Sequence, residues 1–234
     1  MTDLTGRVAL VTGANRGLGA AFVSGLLERG VAKVYAAARR PESVATTDPR
    51  VIPLALDVTD PESIRRAAEA AGDATVLVNN AGIAVNQSLV SGDLAEIHRE
   101  FDTNFWGPVL LTRAFAPVIE RNGGGAIVNM HSALSWLALG SYSATKAALW
   151  SASNSARVEL APAGIQVVGV HVGYVDTEMA AGAEGVKVPP AQVVAEALDA
   201  VLADEAEAVV GDVARHVKSK LHEDVRALYP QLAR

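Results

Sequence analysis

Three features of the 234-residue chain predict a doubly wound α/β fold, a seven-stranded parallel sheet with helices on both faces. Short apolar runs alternate with amphipathic stretches from end to end. The runs are continuously β-branched, as in strands covered on both faces. Pro53 interrupts the third run, and proline is tolerated in sheets mainly at edges; a strand order of 3-2-1-4-5-6 places the third strand at one. The expected strands are Val8–Thr12, Lys33–Ala38, Val51–Leu56, Thr75–Asn79, Ala126–His131, Gln166–Val172 and Glu207–Val210. Helices are expected near residues 17–29, 60–71, 93–120, 142–161, 190–203 and 213–227.

The length suits one sizeable core and is short for two, so a single domain over residues 1–234 is expected. Its softest segment, Ala180–Pro190, is a loop by composition and marks a substrate loop near 178–190. The absence of cysteine excludes disulfide scaffolds, thiolate zinc sites and cysteine nucleophiles. A net charge of -6 argues against nucleic acid as a partner and leaves room for one local basic pocket. The first ten residues lack a basic start followed by an apolar run, so a cytoplasmic chain is expected. Asn122–Thr145 has no Asp, Glu, Lys or Arg, but its Gly, Ser and Asn content is wrong for a membrane span. His98, His131, His171, His216 and His222 show no metal-ligand spacing, so no metal is expected. His131 reads as a core or pocket-lining residue.

The first strand runs into Thr12-Gly13-Ala14-Asn15-Arg16-Gly17-Leu18-Gly19 and then a helix. Glycines there permit a tight turn and bring backbone N–H groups close to a pyrophosphate at the helix N-terminus, the arrangement of a Rossmann fold. An acidic residue at the end of the second strand would accept hydrogen bonds from an adenosine ribose. Ala38 stands there instead, followed by Arg39 and Arg40. A guanidinium pairs well with a 2′-phosphate, so NADP(H) is preferred over NAD(H), with Arg16 as a second positive charge.

Tyr142-Ser143-Ala144-Thr145-Lys146 opens a later helix, and the four-residue spacing puts phenol and ammonium on one face. An adjacent ammonium lowers a phenol's pKa toward the range of a useful base. Taken with the glycine turn, this pair makes the sequence resemble the short-chain dehydrogenase/reductase family over nearly its whole length. Thr12–Gly19 is similar to the family's cofactor turn, Asp57-Val58 to its adenine-side pair, and Asn79-Asn80-Ala81-Gly82 to its strand-four motif. Asn104 matches its helix asparagine, Val128–Ser132 the strand ending in its serine, Tyr142 and Lys146 its YxxxK pair, and Gly173–Thr177 its nicotinamide segment.

The resemblance implies an NADP(H)-dependent carbonyl reductase or alcohol dehydrogenase, with a ketone, aldehyde or secondary alcohol as substrate. Tyr142 is then the general acid/base, Lys146 holds the nicotinamide ribose and lowers the Tyr142 pKa, and Ser132 polarises the carbonyl. Asn104 positions a water that links Lys146 to solvent. Pro108, which has no N–H, independently frees the Asn104 carbonyl as an acceptor. Cofactor contacts extend to Asn80, Ala81, Gly82, Gly173, Val175 and Thr177, and a homodimer or homotetramer is implied. Two departures stand out. Ser132 lies ten positions before Tyr142, a shorter interval than the family's, which leaves Ser135 or Asn129 as alternative carbonyl partners. Val172 replaces the proline usual before Gly173. Trp136 and Tyr174 are expected to wall the substrate pocket, with loop packing the other reading of Trp136. The alternative functions are an NADP(H)-binding regulator or scaffold, and a lyase or epimerase of the same family.

Overall fold

In the computed structural model, which describes residues 3–232, seven parallel strands form one sheet. They are β1 (Val8–Thr12), β2 (Lys33–Ala38), β3 (Val51–Ala55), β4 (Val76–Asn79), β5 (Gly125–Met130), β6 (Ile165–Val172) and β7 (Glu207–Val210), in the order 3-2-1-4-5-6-7. Pro53 pairs opposite Ala36 on the outermost strand, where its missing N–H faces solvent.

Seven helices cover the sheet: α1 (Gly17–Glu28), α2 (Pro61–Ala70), α3 (Leu94–Phe101), α4 (Gly107–Arg121), α5 (Gly140–Leu160), α6 (Pro190–Leu202) and α7 (Gly211–Ser219). Successive strand residues point to opposite faces, so each strand feeds two cores. On one face Val11, Val34, Val78 and Val128 pack with Phe22 and Leu26 of α1 and Val193 and Leu198 of α6. On the other, Leu10, Leu77 and Ile127 pack with Ile64 of α2 and Leu111, Phe115 and Ile119 of α4. Asp60 and Asp93 cap α2 and α3, accepting from the backbone N–H groups of Glu62 and Ala95 at 3.0 and 2.8 Å.

Two expected helices are corrected. The stretch near 93–120 is two helices separated by a π-helical turn, Asp102–Trp106, in which the Gly107 N–H donates to the Asp102 carbonyl. Pro108 has no N–H to continue an α-helical ladder, and a wider turn accommodates the loss. The stretch near 213–227 ends as a helix at Ser219, and Asp224 caps a separate single turn, Val225–Ala227. Among the described residues no helix is long and apolar enough to cross a membrane.

Helices α1 and α6 touch closely at Gly25, where an added Cβ would stand 2.4 Å from Cγ1 of Val194. Gly25→Val is therefore expected to lower unfolding free energy by about 1–3 kcal/mol. Val194→Ala in the same chain should restore part of that loss, as a double-mutant cycle in urea would measure.

Candidate active site

The carboxyl ends of the central strands open into a cleft of about 1630 Å³. Parallel sheets bind ligands where the strand order reverses, here between β1 and β4. Gly13, Asn15, Arg16, Gly17, Leu18, Gly19, Arg39, Asp57, Val58, Asn80, Ala81, Gly82, Gly173, Val175 and Thr177 all line it, together with Ser132, Tyr142 and Lys146.

The turn after β1 fits a dinucleotide phosphate. Gly13 and Gly17 have φ of +63° and +53°, which side chains disfavour, and a Cβ on Gly19 would lie 2.1 Å from the Gly13 carbonyl oxygen. Helix α1 has no side-chain cap and no acidic residue in its first turn, so its leading amides carry uncompensated positive partial charge. Asn80 anchors the turn from β4, its amide donating to the Thr12 carbonyl at 2.8 Å. Arg39 is exposed at the far end of the cleft, beside Asp57. Arg16 forms an ion pair with Glu178 on the 178–190 segment.

At the other end, α5 starts beside the end of β5. Lys146 is buried, and its ammonium donates to the Met130 carbonyl at 2.7 Å. Burial pushes it down to about 8, against the Glu100 charge, which acts to raise it. The expected lowering of the Tyr142 pKa is corrected: burial and then the Glu100 charge push the phenol up to about 12, while the Ser132 hydroxyl pulls the other way. Ser132 lines the same cleft, its hydroxyl accepting from the Leu134 N–H at 3.1 Å and donating to the Val172 carbonyl at 3.4 Å. Ser135 instead caps the turn Ala133–Ser135, accepting from the Ser132 N–H at 3.3 Å. Asn129 turns to the opposite side, between Asn79 and Ser153.

Asn104 is fully buried behind the cleft. Its side chain pairs with the Ile83 backbone in both directions, accepting at 2.9 Å and donating at 2.8 Å, and also donates to Thr145 Oγ1 at 3.2 Å. Asn104 Oδ1 and Lys146 Nζ converge on Gly82, 3.2 and 3.9 Å from where its Cβ would be. Tyr174 borders the cleft and is half exposed.

Trp136 is a correction. It does not reach the cleft but stacks on the His171 ring, with centroids 3.9 Å apart and planes 11° from parallel. Leu134 and Leu137 of the same loop line the cleft, while the Trp136 ring turns inward onto the histidine face beneath β5 and β6. His171 sits in a buried polar chain that sequence patterns did not reveal. His131 Nδ1 meets His171 Nε2 at 3.0 Å, His131 Nε2 meets Ser153 Oγ at 2.9 Å, and His171 Nδ1 meets the Ser132 carbonyl at 3.2 Å. At the outer end Glu207 accepts from Trp150 Nε1 at 2.8 Å and Lys218 Nζ at 2.6 Å. The His171 contact, with these two, holds its carboxyl far below the usual range.

Glu100 is the second residue that motif reading passed over. It is fully buried on α3, and its carboxylate accepts from the backbone N–H groups of Val85 at 2.6 Å and Asn86 at 3.4 Å and from the Ser141 hydroxyl. The one available signal is its position three residues after the buried Ile97, on the inward stripe of the helix.

Sequence and structure comparisons agree with this geometry. The short chain dehydrogenase profile matches residues 7–187. A short chain dehydrogenase from Burkholderia cenocepacia, solved in complex with NADP, superposes with a TM-score of 0.94 at 38% identity, covering 99% of each chain. Ketoacyl reductase HetN from a Nostoc species is 34% identical over 75% of this chain and 66% of its own length. The NADPH-dependent 1-acyldihydroxyacetone phosphate reductase of Schizosaccharomyces pombe is 33% identical over 74% of this chain and 61% of its own. The chain thus spans about two thirds or less of these two curated relatives. It belongs to the short-chain dehydrogenase/reductase family, an oxidoreductase family that acts on small molecules.

Buried His131 carries a pH signature. Burial, then the nearby His171, hold His131 well below its ordinary 6.5. The unfolded chain therefore binds the extra proton first, and the stabilisation is complete above pH 6.5 and lost as pH falls below it. Unfolding free energy should decline as pH falls below 6.5, by up to about 1.4 kcal/mol per pH unit from this group. Denaturant melts of His131→Gln should show a flatter slope in that window, and an unchanged slope would exclude His131 as its source.

Proposed function

We propose that the chain is an NADP(H)-dependent carbonyl reductase/alcohol dehydrogenase, exchanging a hydride with a ketone, aldehyde or secondary alcohol that carries apolar substituents. The observation that carries this reading is the convergence of Ser132, Tyr142 and Lys146 in the same cleft as the glycine turn. NADP(H), when bound, supplies or accepts the hydride. Gly13, Gly17, Gly19 and the first amides of α1 would hold its pyrophosphate, and Asn80–Gly82, Val175 and Thr177 its nicotinamide half.

In the reducing direction Tyr142 gives its proton to the carbonyl oxygen. A phenol at about 12 is fully protonated at neutral pH, the form this step requires. Ser132 donates a hydrogen bond to the same oxygen and orients it. Lys146 uses one of its three donors on Met130 and keeps two, enough for the ribose hydroxyls and the proton path past Asn104. Leu89, Leu137, Leu139, Met179 and Val186 line the outer cleft with Tyr174 and favour apolar substituents. The 178–190 segment forms the substrate-side wall of a single domain.

Preference for NADP(H) over NAD(H) is supported by Arg39 in the cleft, by Ala38 in place of a carboxylate, and by the NADP bound to the Burkholderia relative. We place the enzyme in the cytoplasm as a homodimer or homotetramer, joined through α4 and α5.

The decisive assay follows NADPH absorbance against a panel of ketones and aldehydes. Tyr142→Phe should lower turnover by roughly 10²–10⁴-fold with NADPH binding retained. Equal turnover in the variant would reject the mechanism, and tight NADPH binding without turnover of any carbonyl would favour a regulator. Ala38→Asp with Arg39→Ala should reverse the cofactor preference by weakening NADPH and improving NADH. Unchanged relative affinities would sink the assignment of Arg39.

A further inference from the structure

Glu100 combines features that neither the cofactor cradle nor the Ser132–Tyr142–Lys146 set uses. It is a carboxylate with no solvent exposure, 15 and 41 positions from its partners. Burying a carboxylate is costly unless its oxygens are satisfied, and among the described residues no lysine or arginine lies at ion-pair distance from it. Arg99, its neighbour on α3, is engaged with Glu96 instead. Two structural parts of the cleft meet at its oxygens. The first is the segment after β4, whose Val85 and Asn86 amides it accepts and whose Asn86 and Gln87 border the cleft. The second is the first turn of α5, where the Ser141 hydroxyl donates to Glu100 and accepts from the Gln87 N–H at 2.9 Å. Ser141 immediately precedes Tyr142. The Asn86 backbone has a φ of +55°, a conformation that the flanking hydrogen bonds must hold in place.

We propose that Glu100 is a positioning residue for the reaction: its buried carboxylate ties the cleft wall at 85–87 to the start of α5 and sets the electrostatic environment of Tyr142 and Lys146. The proposal rests on the oxidoreductase reading above. Around Glu100 the titratable groups are Tyr142 and Lys146 from α5, Arg99 from its own helix, and His131 from the end of β5 beyond Lys146. Asp102 faces outward, and residues 83–88 carry none. The Glu100 charge acts to raise both Tyr142 and Lys146, so it keeps the lysine cationic in a buried site and the phenol protonated.

Glu100→Gln tests this, because an amide of the same shape still accepts from Val85 and Asn86 and donates to Ser141 while the charge is lost. The alkaline limb of carbonyl reduction and the rising limb of alcohol oxidation should both move to lower pH by roughly one unit. An ultraviolet titration of the free protein, with Tyr142→Phe subtracted, should show the same shift in the Tyr142 phenol. Ser141→Ala keeps the charge but frees it from α5, and should lower kcat several-fold with the pH limbs and the NADPH KM unchanged; it also supplies the test if Glu100→Gln folds poorly. Wild-type pH limbs in Glu100→Gln, or wild-type kcat in Ser141→Ala, alongside an inactive Tyr142→Phe, would overturn the role of Glu100 and leave the proposed function standing. Full turnover by Tyr142→Phe would overturn both.

Discussion

Where β1 and β4 end side by side, the chain after each turns to a different side of the sheet, and two backbone amides are left facing the gap. The Thr12 hydroxyl accepts both, from Asn80 and Ala81 at 2.9 Å each, and donates its own proton to the Val78 carbonyl at 3.3 Å. One buried side chain thus holds open the crevice that a parallel sheet forms at its switch point. The glycine turn continues from Thr12 on one side, and the Gly82 backbone that meets Asn104 and Lys146 continues from Asn80 on the other. Both halves of the candidate site take their spacing from this hydroxyl. Without it the Ala81 amide would carry the desolvation penalty of a lost hydrogen bond, while the Asn80 amide would keep only its second acceptor, the Val78 carbonyl at 3.1 Å.

The second constraint is the character of α5. Its inward face is polar: Ser141, Ser143, Thr145, Lys146 and Ser153 are all buried beside a single large apolar residue, Leu149. Its later turns pack Trp150, Ala156 and Leu160, but the turns that carry Tyr142 and Lys146 are seated by hydrogen bonds. Ser141 joins it to Glu100 and Gln87, Thr145 to Asn104, Lys146 to Met130, and Ser153 to Asn129 and His131. Hydrogen bonds are directional where apolar packing is not, so this mode of attachment fixes the rotation of the helix and the position of Tyr142 more sharply than a leucine stripe would.

Strands were legible because each is a local signal: a β-branched run needs no distant partner to be seen, and Pro53 marks the edge by its own missing donor. The glycine turn and the Tyr142–Lys146 pair were legible for the same reason, since their chemistry lies within a few residues. What escaped depends on contacts between distant segments. Glu100 reads in sequence as part of a charged run with Glu96 and Arg99, and only the amides at 85 and 86 and the hydroxyl at 141 make burying it tolerable. Trp136 reads as an aromatic between two active-site motifs, yet its stacking partner is His171 on the following strand. The break between α3 and α4 lay in between. Pro108 announced a defect, but the form it took, a π turn that carries Asn104 against the distant Ile83 backbone, is not written in the local sequence.

These two buried polar systems bracket Lys146 from opposite sides and differ in how they carry charge. On the β6 side, Glu207 has a lysine, an indole N–H and a histidine at its oxygens and lies near the surface, so its charge is compensated locally. On the α3 side, Glu100 has only neutral donors, and its field extends to the residues around it with little screening. A lysine buried beside the first system alone would lose its proton readily, since His131 adds no negative charge and burial already pulls Lys146 down to about 8. The negative charge that opposes this comes from Glu100, on the α3 side. The same charge resists ionisation of Tyr142. In the proposed function, a protonated phenol beside a protonated amine is the pair that gives a proton to a substrate oxygen.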